Sequence, residues 1–73
     1  MNLPAITKAR FVRALRKLGF VLVHQKGSHQ KWRHSDGRFV YVYMHSREDL
    51  RPSALRSILR DARVSEEEFL KAL

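Results

Sequence analysis

The sequence predicts an α+β fold: a three-stranded antiparallel sheet with helices on one face, in the order α-β-β-β-α, and a short helix at the C-terminus. Three observations predict it. Apolar residues recur at helical spacing towards both ends of the chain. The stretch between them divides into three runs rich in β-branched and aromatic residues. Glycine-containing turn signals separate those runs. At 73 residues and with no internal repeat, the chain reads as one domain over 1–73, with room for one sheet and two or three helices.

Each element has a local cause. Thr7 is a fitting N-cap, and Phe11, Val12, Leu15 and Leu18 follow at helical spacing with Gly19 as the stop. Arg10, Arg13 and Lys17 fall on the opposite face of that helix. Strands are expected over 20–25, 29–34 and 39–44, with turns at Lys26-Gly27 and Ser35-Asp36-Gly37. Pro52 suits a first helical turn, and Leu55, Ile58, Leu59 and Ala62 then make an apolar stripe. Ser65-Glu66-Glu67-Glu68 has the form of a capping box and opens a last helix bearing Phe69, Leu70 and Leu73.

The register of the second hairpin follows from pattern. A two-residue Asp36-Gly37 turn would pair Arg33 with Val40 and mix charges into the valine face. A three-residue loop, Ser35-Asp36-Gly37, with Gly37 left-handed pairs Trp32 with Val40 and Gln30 with Val42. It sets His29 against Tyr43 and Lys31 against Tyr41. Trp32, Val40 and Val42 then cover the helices, and His29, Lys31, Arg33, Phe39, Tyr41 and Tyr43 share the open face. Aromatics among cations make a platform for stacking bases and binding phosphates; a partner protein covering that face is the other reading.

Composition narrows the partners. A formal net charge of +8, spread along the chain rather than held in a tail, attracts polyanions: nucleic acid first, an acidic protein second, an anionic membrane surface a distant third. A merely solubilising surface is the alternative. The chain has no cysteine, which removes disulfides and thiolate zinc sites. Met1-Asn2-Leu3-Pro4 lacks a signal-peptide run, and no segment approaches the ~20 apolar residues of a membrane span. The cytoplasm is the expected compartment.

The residues with chemistry cluster at Lys26-Gly27-Ser28-His29-Gln30-Lys31-Trp32-Arg33. Histidine exchanges a proton near neutral pH, and lysine and arginine hold an anionic substrate. His29 follows a tight turn whose backbone N–H groups approach a ligand closely; the alternative is an exposed strand histidine with no role. His45 falls opposite Gly27, diagonal to His29 and about 7–8 Å from it, so the pair can bracket a phosphate as base and acid. Otherwise His45 only ends the strand. The five-residue recurrence of His24, His29 and His34 suggests a metal, but odd spacing along strands alternates faces. Without cysteines or clustered carboxylates no metal site is expected. Glu66, Glu67 and Glu68 fit helix-start charges. Arg56, Arg60 and Arg63 form a stripe that is either a solvated face or a phosphate track.

The chain resembles the HicA-like toxins of bacterial toxin–antitoxin pairs over nearly its whole length. The likeness rests on Leu18-Gly19-Phe20, on Lys26-Gly27-Ser28-His29, and on Asp49-Leu50-Arg51-Pro52 running into Leu55-Arg56-Ser57-Ile58-Leu59-Arg60. Ser53 and Ala54 stand where many relatives carry glycine and threonine. The resemblance implies a fold like a double-stranded-RNA-binding domain. It also implies a stress-response endoribonuclease that cleaves messenger RNA, needs neither metal nor cofactor, and is held in check by a cognate HicB-like antitoxin. The family's catalytic histidine maps onto His29.

The expected function is therefore RNA cleavage in which His29 deprotonates a ribose 2′-hydroxyl. Lys26, Lys31 and Arg33 would hold the phosphate, with Ser28 or a turn amide assisting. Gly27 shapes the turn, Tyr41 and Tyr43 offer stacking surfaces, and Arg56 and Arg60 track the backbone. The alternatives are a module that binds structured RNA without cutting it, and a DNA-binding regulator that presents the Arg56 helix to the major groove.

Overall fold

The computed structural model describes residues 2–45 and 47–73. In chain order its elements are α1 (Lys8–Lys17), β1 (Val21–Lys26), β2 (His29–Arg33), β3 (Phe39–Tyr43), α2 (Pro52–Asp61) and α3 (Glu66–Ala72). This is the expected α+β order. The strands begin or end a residue away from the expected bounds: Phe20 and Met44 fall just outside them, and so does His34.

The helix termini follow their sequence signals. Thr7 Oγ1 accepts the Arg10 amide at 3.1 Å, and Ser65 Oγ accepts the Glu68 amide at 3.0 Å. Pro52 starts α2 behind an extended Arg51 that makes no side-chain cap, so Ser53 and Ala54 leave the helix start where proline sets it. Both long helices end in the same paired-bond motif. Phe20 N donates to Leu15 O and Gly19 N to Arg16 O. In α2, Val64 N donates to Leu59 O and Arg63 N to Arg60 O. The motif demands a left-handed residue: Gly19 takes it with φ +96° and Arg63 with φ +57°.

The sheet order is β1-β2-β3, antiparallel throughout. Between β2 and β3 the pairs are His29 with Tyr43, Gln30 with Val42, Lys31 with Tyr41 and Trp32 with Val40, the register that sorts the faces. The Ser35-Asp36-Gly37 loop is closed by His34 N to Arg38 O (2.8 Å) and Gly37 N to His34 O (3.0 Å), with Gly37 at φ +98°. Arg38 braces this loop. Its Nε donates to Asp36 Oδ2 at 2.8 Å, its Nη1 to Arg63 O at 3.0 Å, and its guanidinium lies over the Phe20 ring. The hairpin is thereby tied to the end of α2.

The core lies between the sheet and the helices. Trp32, Val40 and Val42 are buried in one cluster with Phe11, Leu15, Phe20, Leu55, Leu59 and Phe69, and Phe11 and Phe69 join α1 to α3 with ring centroids 5.7 Å apart. Leu3 and Ile6 add to it. Ile6 is fixed by two backbone bonds to Leu50, of 3.1 and 2.8 Å. Burying these faces supplies the main favourable term in folding. It also leaves the other sheet face uncovered, with Phe39, Tyr41 and Tyr43 exposed.

Candidate active site on the open sheet face

Two strand connections position His29. Lys26 pairs with His29 across a two-residue Gly27-Ser28 turn, where Gly27 adopts φ +58°. A positive φ at the first turn position suits glycine and matches the twist of the flanking strands. No neighbour crowds the space a Gly27 Cβ would occupy, so the backbone angle alone selects glycine there. Gln25 Nε2 donates to Gly27 O at 3.1 Å and steadies the turn, while Met44 N donates to Ser28 O at 2.8 Å on the other side. His29 is thus held between two paired strands at the mouth of a tight hairpin.

The imidazole of His29 packs on Tyr43, centroid to centroid 4.6 Å. Tyr43 in turn stacks on His45 at 5.8 Å with the planes 24° apart, and the Lys8 ammonium lies 5.8 Å from the Tyr43 centroid. Tyr43 therefore contacts both histidines. His45 lies just beyond the end of β3. The Lys31 ammonium rests over Phe39 and Tyr41, at 4.9 and 5.7 Å. Arg33 is exposed at the opposite end of β2, paired with Phe39.

A shallow depression of about 480 Å³ lies beside His29, lined by Val23, His24, Lys26, His29, Gln30, Lys31 and Tyr41. No carboxylate lines it. Val23 and Tyr41 give its lining apolar and aromatic surface, and His24, His29, Lys26 and Lys31 give it imidazole and ammonium groups, a composition that can accept a phosphodiester with a base beside it. A wider cleft of about 600 Å³ lies along the approach to α2, lined by Ala5, Arg47, Glu48, Asp49, Arg51 and Pro52. It mixes both signs of charge and, unlike the smaller depression, carries no histidine.

The placement of His24 corrects the face assignment drawn from odd spacing. Leu22 pairs with Trp32 and His24 with Lys31, which leaves Val23 as the extra residue of a bulge. The bulge resets the alternation, and paired residues share a face, so His24 lies on the open face with Lys31, Lys26 and His29. His34 is elsewhere. It packs edge-on against Phe20 at 5.2 Å, and its Nδ1 lies 3.1 Å from the Asp36 amide. A Cβ on Gly19 would come within 2.9 Å of the His34 Nε2. His34 is a packing residue of the hairpin base.

Electrostatics elsewhere are modest. The amide of Arg38 holds the Asp36 carboxyl below its ordinary value; desolvation opposes this, and the Arg38 guanidinium and His34 add to the lowering. On α2, Arg56 pairs with Glu66 at 3.4 Å and Arg60 lies 3.8 Å from Asp61. Exposed pairs of this kind are weak and yield to a polyanion, but they leave the arginine stripe partly countered. Among the described residues no group of three or more His, Cys, Asp or Glu is placed to share a metal ion, and no helix is long and apolar enough to cross a membrane.

Sequence reasoning missed the face on which His24 lies and the bracing made by Arg38. Alternation gives no sign of a bulge, and a loop arginine that reaches a helix end has no local signature. Against known proteins, the family model described as HicA toxin of bacterial toxin–antitoxin matches residues 9–64, most of the chain. Among curated proteins none matches.

Proposed function

The chain belongs to the HicA toxin family of bacterial toxin–antitoxin systems, and from that premise we propose that it is an endoribonuclease that cleaves messenger RNA without a metal ion. The observation that carries this reading is the depression beside His29, whose lining holds imidazole and ammonium groups and no carboxylate. His29 takes the proton of a ribose 2′-hydroxyl, and the oxygen so activated attacks the adjacent phosphorus. Lys26 and Lys31 draw the phosphate in and offset the charge that builds on its non-bridging oxygens. Tyr41 and Tyr43 present rings on which flanking bases stack, and Arg33 extends the positive track along β2. The open face is also the surface that an acidic, HicB-like antitoxin has to cover to silence the toxin.

The purified chain, incubated with a messenger RNA in excess EDTA, tests the reading. Cleavage is expected to persist, to leave 2′,3′-cyclic phosphate and 5′-hydroxyl ends, and to stop at any position carrying a 2′-deoxyribose. Cleavage abolished by EDTA, or continuing at a 2′-deoxy position, would rule the mechanism out.

A further inference from the structure

We propose that His24, brought onto the open face by the bulge in β1, is the general acid that protonates the leaving 5′-oxygen; this rests on the endoribonuclease reading above. Cross-strand pairing sets four groups at the corners of a quadrilateral: His24 faces Lys31 and Lys26 faces His29. The two imidazoles occupy one diagonal and the two ammoniums the other. All four line the same depression. Diagonal neighbours across an antiparallel pair lie about 7–8 Å apart, within reach of long side chains. A phosphodiester at the centre thus has an imidazole on either side of the phosphorus, as an in-line displacement requires, and an ammonium on either side of its non-bridging oxygens. His45 lies outside this lining and stacks on Tyr43.

The proton and bond inventory closes. Neutral His29 removes the 2′-hydroxyl proton, the 2′-oxygen–phosphorus bond forms, and the phosphorus–5′-oxygen bond breaks. Protonated His24 gives its proton to the departing 5′-oxygen. The products are a 2′,3′-cyclic phosphate and a 5′-hydroxyl, with the two imidazoles left in exchanged protonation states that water resets. Lys26, Lys31, His29 and Tyr41 are the titratable groups around His24 on this face.

The test compares His24→Ala and His24→Gln with wild type on two substrates: ordinary RNA, and RNA with a single 5′-thio linkage at the scissile position. The thiolate departs without a proton. On ordinary RNA both variants are expected to lose about 10²–10⁴-fold, the usual contribution of a general acid, and to lose one limb of a bell-shaped pH profile. On the 5′-thio substrate they should cut at close to the wild-type rate. Equal losses on both substrates, or no loss on ordinary RNA, would overturn the assignment. So would rescue by the thio linkage in His45→Ala instead of in the His24 variants. A wild-type chain that cuts neither substrate overturns the endoribonuclease reading and this one with it. Activity in wild type, dependent on His29, with His24 variants unaffected overturns this one alone.

Discussion

Replacing Trp32 with alanine tests the arrangement on which the site depends. Trp32 is 1% exposed at the centre of the core. Its indole N–H donates to Gln30 Oε1 at 2.9 Å, and the Arg16 guanidinium lies 5.0 Å from its ring centroid. Deleting a buried tryptophan side chain costs about 3–5 kcal/mol, transfer and cavity terms together. Loss of the Arg16 contact adds about 0.5–1 kcal/mol at a solvent-facing position. Gln30 is half-buried and turns to water, so its lost bond adds little. A domain of 73 residues has a total stability of about 4–11 kcal/mol at typical per-residue values. Trp32→Ala should therefore remove about a third or more of it. Because the substitution removes the chain's one tryptophan, urea unfolding is best followed by far-ultraviolet circular dichroism. Trp32→Phe keeps a ring in the core and should cost only about 1–2 kcal/mol. A loss under about 1 kcal/mol for Trp32→Ala would place the indole on the solvent face. With a side-chain period of two, that reverses every residue of β2 and removes His29 and Lys31 from the open face.

Other consequences can be measured directly. RNA affinity should fall steeply with salt, and replacing Lys31 and Arg33 together by alanine should flatten the log–log slope by roughly 1.4, two single-strand phosphate contacts at about 0.7 each; an affinity indifferent to salt would contradict the platform. Asp36 has a lowered folded-state pKa, so its stabilising effect is complete above the ordinary aspartate value and is lost as pH falls through the folded one. The melting-temperature gap between wild type and Asp36→Asn should thus be steady near neutrality and shrink below pH 3.8; a gap that persists to about pH 2 would refute the Arg38 interaction. Gly19→Ala should destabilise by about 1–2 kcal/mol or more, because the left-handed backbone is strained for alanine and the new methyl meets His34 at 2.9 Å. Arg63→Gly, at the equivalent place after α2, should instead stabilise by about 1 kcal/mol, since Arg63 makes its bond to Arg38 through the backbone carbonyl.

Much of the fold was legible because local signals agreed with one another. Thr7, Gly19, Pro52 and Ser65 each sit at a helix boundary that they also cause, and the charge-sorting requirement fixed the β2–β3 register from five alternating residues on each side. The β1 strand resisted the same treatment. Val21, Leu22 and Val23 are all exposed on an edge strand, so no buried face imposes an alternation, and a bulge there leaves no trace in the pattern. The face of His24 depended on that bulge. Ile6 escaped notice for a related reason: it is held by a bridge to Leu50, a contact some forty residues away that no local period encodes. His29 itself was visible, since its glycine turn and flanking cations lie side by side in the chain.

The most direct test of the central claim is the rate at which His29→Ala cleaves messenger RNA in excess EDTA, measured beside wild type after circular dichroism has shown both chains folded. His29 is exposed, and its loss removes little packing. Wild type should cut and arrest growth on expression, and the variant should lose at least about 10²-fold in rate together with the arrest. A folded His29→Ala that cuts at the wild-type rate would contradict the account.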